Sequence, residues 1–271
     1  MISAMNQFPT NQQLVVQRFV AACEADPRVV AATLYGSYAR GTADAHSDLD
    51  LGLITTDADF ADFYAGRADW LRQLGEPLFL ETFGSAVSLL FILADGTEGE
   101  LSVGRVGDFT HIHGEPHQVL LDKTQLLTDC VFAQSVPGPA EQRATLQRLI
   151  DWFWHDFSHL VTALGRGQLW WAQGQIEVLR LMCVNLARLR HNFADPYVDD
   201  NDYFKVDLAI PGEQLAPLAT TFCPLEAGAL LQAGQQILRF YQEIAPPLAQ
   251  AHGLAYPAEL ERVLVARLAK L

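Results

Sequence analysis

Leu34-Tyr35-Gly36-Ser37-Tyr38-Ala39-Arg40-Gly41-Thr42-Ala43-Asp44-Ala45-His46-Ser47-Asp48-Leu49-Asp50-Leu51-Gly52-Leu53-Ile54 joins two apolar runs, Val29 to Tyr35 and Leu49 to Thr55, that read as strands. Residues i and i+2 of a strand share a face, so Asp48 and Asp50 set two carboxylates side by side among Leu49, Leu51 and Leu53. Adjacent anions on a half-buried strand repel each other unless a cation lies between them. Hard oxygen donors of this kind suit Mg²⁺, which completes its shell with water and substrate phosphates. Gly36 lets the backbone approach a phosphate, Ser37 adds a hydroxyl and an N–H, and Arg40 is placed to neutralise phosphate oxygens. No GxxxxGK[ST] occurs, which excludes a P-loop nucleotidase.

Outward from this stretch the first half reads as α/β. A helix is expected over residues 11–25, another over Phe60 to Leu74, and strands over Val87 to Ala94 and Glu100 to Val103 joined at Asp95-Gly96. After Val136-Pro137-Gly138-Pro139 the pattern turns helical. One apolar stripe runs from Leu146 to Leu164 and a second from Leu169 to Leu186, separated by Gly165-Arg166-Gly167. An irregular acidic segment, Ala194 to Gly212, leads to helical patterning from about Leu225 to Leu271, interrupted at Pro246-Pro247 and Pro257. The expected fold is α+β: a mixed-sheet domain over residues 1–136, then a helical bundle over 140–271.

Composition narrows the function classes. Half of the 271 residues are hydrophobic and 18% are charged, which excludes disorder and low complexity. The net charge of −14 and the absence of any Lys/Arg run argue against a nucleic-acid partner. Residues 1–125 hold 17 acidic and 7 basic side chains, against 15 and 11 in the remainder. Such a balance favours small or cationic partners. The longest apolar stretch, Ala86 to Ala94, is short of the roughly 20 residues of a spanning helix, so no membrane role is expected. Four widely spaced cysteines and an N-terminus without an export pattern point to a cytoplasmic protein with free thiols.

Gly-Ser, a ten-residue gap and Asp-x-Asp resemble the signature of the nucleotidyltransferase superfamily related to DNA polymerase β. Gly36-Ser37-x-Ala39-Arg40-Gly41 with His46-Ser47-Asp48 is more specific and is similar to streptomycin-type aminoglycoside adenylyltransferases, with lincosamide nucleotidyltransferases as more distant relatives. Weaker likenesses extend over Val119 to Lys123, Trp152-Phe153-Trp154, Arg166-Gly167 and Gly253 to Pro257. The resemblance implies an Mg²⁺-dependent enzyme that transfers AMP from ATP to a hydroxyl of a small cationic acceptor, an aminoglycoside or related antibiotic. Asp48 and Asp50 would hold the metal; Gly36, Ser37, Arg40 and Ser47 would bind the nucleotide. A third carboxylate is expected on a later strand: Glu100, with Glu98 and Asp108 as competitors. A protein-modifying transferase of antitoxin type and a non-catalytic nucleotide sensor are the alternative readings.

Further candidates lie in the second half. Trp152 and Trp171 fall off their stripes, open either to interdomain packing or to stacking on a sugar or base. Asp195, Asp199, Asp200 and Asp202 are open to two readings, a solvated loop or an acidic connection that attracts cationic amino sugars. His155 and His159 have the spacing of HExxH, but its Glu is missing and no third ligand is evident, so they read as a polar helix face. His111, His113 and His117 receive the same reading.

Overall fold

All six residues of β1 (Val29–Leu34) are buried, so the strand leaving Arg28 must run through the interior of a sheet. The computed structural model describes residues 10–109, 112–113, 116–132, 137–195, 197–198 and 203–271. The chain divides into two units, Met1–Ser135 and Val136–Leu271. Among the described residues no helix is long and apolar enough to cross a membrane.

In the first unit β2 (Leu49–Thr55) pairs antiparallel with β1, and β1 pairs antiparallel with β7 (Gln118–Asp122). On its other side β2 runs parallel to β5 (Glu98–Arg105), which continues through β4 (Ser88–Leu93) to the edge strand β3 (Pro77–Glu81). A parallel pair needs a long crossover. Here it consists of α3 (Phe60–Ala65), α4 (Arg67–Leu71) and the β3–β4 ribbon. A separate parallel pair, β6 (Ile112–His113) and β8 (Val131–Phe132), completes the unit.

Strand alternation sorts the two faces of the sheet. Leu49, Leu51, Leu53, Leu89, Phe91, Leu93, Leu101 and Val103 pack into one core with Val15 and Phe19 of α1 (Thr10–Ala25) and with Phe63, Trp70 and Leu71. The intervening residues of β2 and β5, among them Asp50, Glu100 and Ser102, are directed to the opposite face by the pleat. The single helix expected over Phe60 to Leu74 is instead two short ones, parted at Gly66. Strand β5 also starts two residues before the expected Glu100.

The second unit is a bundle of α5 (Pro139–Gly165), α6 (Leu169–His191), α9 (Ala227–Ala251) and α10 (Ala258–Leu268). Two short helices, α7 (Val206–Ala209) and α8 (Gly212–Ala219), precede α9. Both expected stripes form its core, where the rings of Phe153 and Tyr241 stack at 3.6 Å. Helix α9 runs through Pro246-Pro247, where the sequence suggested a break. Two intrahelical donors are lost there, yet Ala245, Leu248 and Ala249 remain buried, and tertiary packing keeps the helix intact.

Two buried arginines of α6 hold described parts of the connection that follows it, Asp195 and Phe204 first and Thr221 further on. Arg180 donates through Nε to Thr221 Oγ1 (2.7 Å) and through Nη2 to Thr221 O (3.0 Å), pairs with Glu177, and lies over the Phe222 ring. Arg188 reaches Asp195 Oδ2 at 3.0 Å and also donates to the Phe204 carbonyl. Asp195 is 9% exposed, so it is a structural partner and is not available to an acceptor. Asp195→Ala would strand a buried guanidinium. Loss of one member of a buried pair costs about 3–5 kcal/mol, and urea unfolding monitored by helical circular dichroism should show a destabilisation of that order. All four cysteines are free, with Cys23 and Cys183 buried.

Candidate active site

The loop between β1 and β2 is organised around Gly36. It opens the one-turn helix α2 (Gly36–Arg40) with φ of +61°, a region that costs most other residues strain. A Cβ built there would stand 1.6 Å from Oδ2 of Asp50. The glycine therefore exists because the Asp50 carboxylate fills the space that a side chain would take. The Tyr35 N–H also donates to the Asp50 carbonyl at 2.8 Å, fixing the end of β1 against the start of β2.

The parallel register of β2 and β5 sets Asp50 directly opposite Glu100. Asp48 is exposed just before β2, and Glu98 is exposed at the first position of β5. Both line a cavity of about 520 Å³ that also includes Gln12, His46, Ser47 and Asp95. Gly99 permits this arrangement from below. A Cβ there would lie 2.4 Å from the Phe91 ring and 2.6 Å from the Leu49 carbonyl, so only glycine lets β4 and β2 close on β5 beside the acid.

Two residues not singled out in the sequence join the site. Ser102 donates to Glu100 Oε1 at 3.3 Å, and its hydroxyl lies 3.2 Å from that of Ser88. The period-two series Glu98, Glu100, Ser102 was the available signal, since all three share one face. Asp108 is engaged elsewhere: Arg105 grips it through Nε (2.7 Å) and Nη2 (3.0 Å), which holds its carboxyl below the ordinary range. Asp108 and Arg105 border a second cavity of about 500 Å³, with Tyr35, Gly52, Phe60 and Ser102.

The nucleotide candidates divide in the same way. Among the described residues Ser37 Oγ is buried and has no hydrogen-bond partner. A buried hydroxyl left so costs about 1–3 kcal/mol, which a phosphate oxygen would relieve. Arg40 is exposed at the last turn of α2. Ser47 uses its hydroxyl within the loop, accepting from the Asp44 N–H at 2.9 Å, and its carbonyl is held by Gln12 at 2.8 Å. Burial, then Asp44 and Asp48, push the Tyr38 phenol upward.

The sequence profile of the streptomycin adenylyltransferase family matches residues 10–270. The chain belongs to that family. No curated protein is matched. Among solved structures, an aminoglycoside 6-adenyltransferase from Bacillus subtilis is similar, with 13% identity, 96% of this chain and 98% of that chain covered, and a TM-score of 0.39. The streptomycin-type resemblance read from Gly36 to Asp50 is thereby borne out, and the protein is a nucleotidyltransferase.

As an adenylyltransferase family member, the protein implies a bound divalent cation, and the donor set fits one. Asp48, Asp50 and Glu100 offer only hard oxygens, and among the described residues no cationic side chain pairs with Asp48 or Glu100. In the helical unit Trp152 is 52% and Trp171 36% exposed, whereas Trp154 is wholly buried, as the stripes indicated. Asp199, Asp200 and Asp202 lie outside the described residues, as does His111. Gly36→Ala tests the packing of the loop on Asp50. Misplacing a reacting group by about 1 Å can cost on the order of 10²-fold, so kcat/KM should fall at least that far while the unfolding temperature changes by a few degrees only.

Proposed function

We infer that the chain transfers AMP from ATP to a hydroxyl of an aminoglycoside or related antibiotic, with Mg²⁺ as cofactor. The observation that carries this reading is the register of Asp50 with Glu100 beside the Gly36-Ser37 turn. Asp48 and Asp50 would hold Mg²⁺, which supplies charge neutralisation for a triphosphate. The Ser37 hydroxyl and N–H, with Arg40, bind phosphate oxygens. Glu100, oriented by Ser102, takes the proton of the acceptor hydroxyl. The acceptor oxygen then bonds to the α-phosphorus, the bond to the β-phosphate oxygen breaks, and pyrophosphate leaves.

Trp152 and Trp171 are proposed to stack on a sugar or base, and Asp199 and Asp200 to attract the cationic acceptor. The decisive experiment measures pyrophosphate release with ATP, GTP, CTP and UTP against aminoglycosides, lincosamides and candidate proteins. Turnover of ATP with an aminoglycoside is expected. Release with a protein acceptor alone would replace this reading with the antitoxin-type one, and nucleotide binding without release would replace it with a sensor.

Charge makes a further expectation measurable. Each exposed ion pair is worth only about 0.2–1 kcal/mol, but several acting on a polycation set KM together. The Debye length falls from about 10 Å at 0.1 M salt to about 3 Å at 1 M. Acceptor KM should therefore rise steeply with salt at nearly constant kcat, and neutralising Asp199, Asp200 and Asp202 should flatten the rise. A salt-insensitive KM would reject the cationic acceptor while leaving the transfer chemistry intact.

A further inference from the structure

Helix α5 brings together three metal-ligating side chains that the transfer reaction does not use. His155 and His159 stand one turn apart on one face of the helix, and Asp156 lies beside them. The Asp156 carboxylate lies 3.0 Å from Nδ1 of His155 and 3.9 Å from Nδ1 of His159, and one ligand atom from each residue falls within 4.8 Å of the others. In the sequence Asp156 lies between the two histidines, a pattern that reads as a polar helix face; the structure adds the close approach of all three donors.

We propose that His155, Asp156 and His159 form a binding site for one divalent transition-metal ion of the zinc class. Two imidazole nitrogens and one carboxylate suit zinc, nickel or copper, whereas magnesium and calcium prefer an all-oxygen set. Zinc bonds of about 2.1 Å in a tetrahedron place neighbouring donors about 3.4 Å apart, a spacing bracketed by the two measured separations. Small rotations of exposed imidazoles close the remainder, because the side chains of His155 and His159 are 53% and 41% exposed.

Charge argues in the same direction. The Asp156 side chain is only 14% exposed, and among the described residues no lysine or arginine pairs with it. Its partners among the described residues are the two imidazoles, and a bound dication would supply positive charge beside a partly buried anion. Trp152 packs edge-on to His155 at 5.1 Å, and Trp171 lies 5.7 Å from His159. These rings limit the rotamers of both ligands and place two indoles within quenching range of the ion. The set leaves a coordination position for water or an outside ligand, the pattern of an open site. It belongs to the helical unit and does not depend on the proposed adenylyl transfer.

The test titrates chelator-treated full-length protein with Zn²⁺ in a calorimeter, and with Ni²⁺ while tryptophan fluorescence is recorded. One equivalent of Zn²⁺ and partial quenching by Ni²⁺ are expected. His155→Ala, His159→Ala and Asp156→Asn should each weaken binding at least about tenfold, since removing even an outer partner of a metal ligand costs about 10–100-fold. Metal-free melting temperatures establish that each variant folds, and His155→Gln serves if His155→Ala does not. No saturable Zn²⁺ binding by the parent, or unchanged affinity in the folded His155 and His159 variants, overturns the site. Loss with both histidine variants but not with Asp156→Asn overturns the three-donor assignment.

Discussion

Asp50→Asn should lower kcat/KM by at least about 10²–10³-fold, the scale of losing one preorganised electrostatic contact to a developing charge. Asp48→Asn should fall in the same class. Neither variant should unfold the protein, because asparagine keeps the shape of the side chain and removes one of several neighbouring anions. Pyrophosphate release at saturating Mg²⁺, measured beside the melting temperature, separates the two effects. A variant that kept a tenth of the parent rate would remove the paired-carboxylate mechanism from consideration.

Glu100→Gln is expected to lose kcat by about 10²–10⁴-fold, the contribution of a general base, with acceptor KM changed far less. The contrast with its competitors carries the argument. Asp108→Asn should be mild, because Asp108 is engaged with Arg105 at 2.7 Å. Glu98→Gln should be intermediate at most, since Glu98 is exposed at the end of β5 and does not share the Ser102 hydrogen bond. Were Asp108→Asn the severe variant, the third carboxylate would lie on the 3₁₀ turn after β5, and the register argument for Glu100 would be lost.

Much of the candidate site was legible because its signals are local. Val29 to Leu34 and Leu49 to Thr55 are apolar runs with turn residues between them, and both strands formed at those positions. The partnership of Asp50 with Glu100 was not legible as geometry, because parallel pairing across a crossover leaves no mark in either segment. Nor does the sequence show why Gly99 precedes the acid: it serves the approach of Phe91 and Leu49. Asp195 differs from its expected reading because Arg188, buried near the end of α6, pairs with it at 3.0 Å, and composition alone does not show that pairing. Pro246-Pro247 looked like a helix end and proved to lie inside α9, between the buried residues Ala245 and Leu248.

One property of the sheet bears on how long the active state endures. Strand β2 is flanked on both sides, by β1 and β5, whereas β3 and β7 form the margins. Amides in such an interior strand exchange with solvent chiefly through global opening, while margins fray first. Asp50 therefore rides on the segment of its unit that comes apart last. Fluctuations that loosen the margins should leave the carboxylate register intact, so if Asp50 and Glu100 carry the proposed transfer, its heat inactivation should follow the lifetime of the folded unit as a whole.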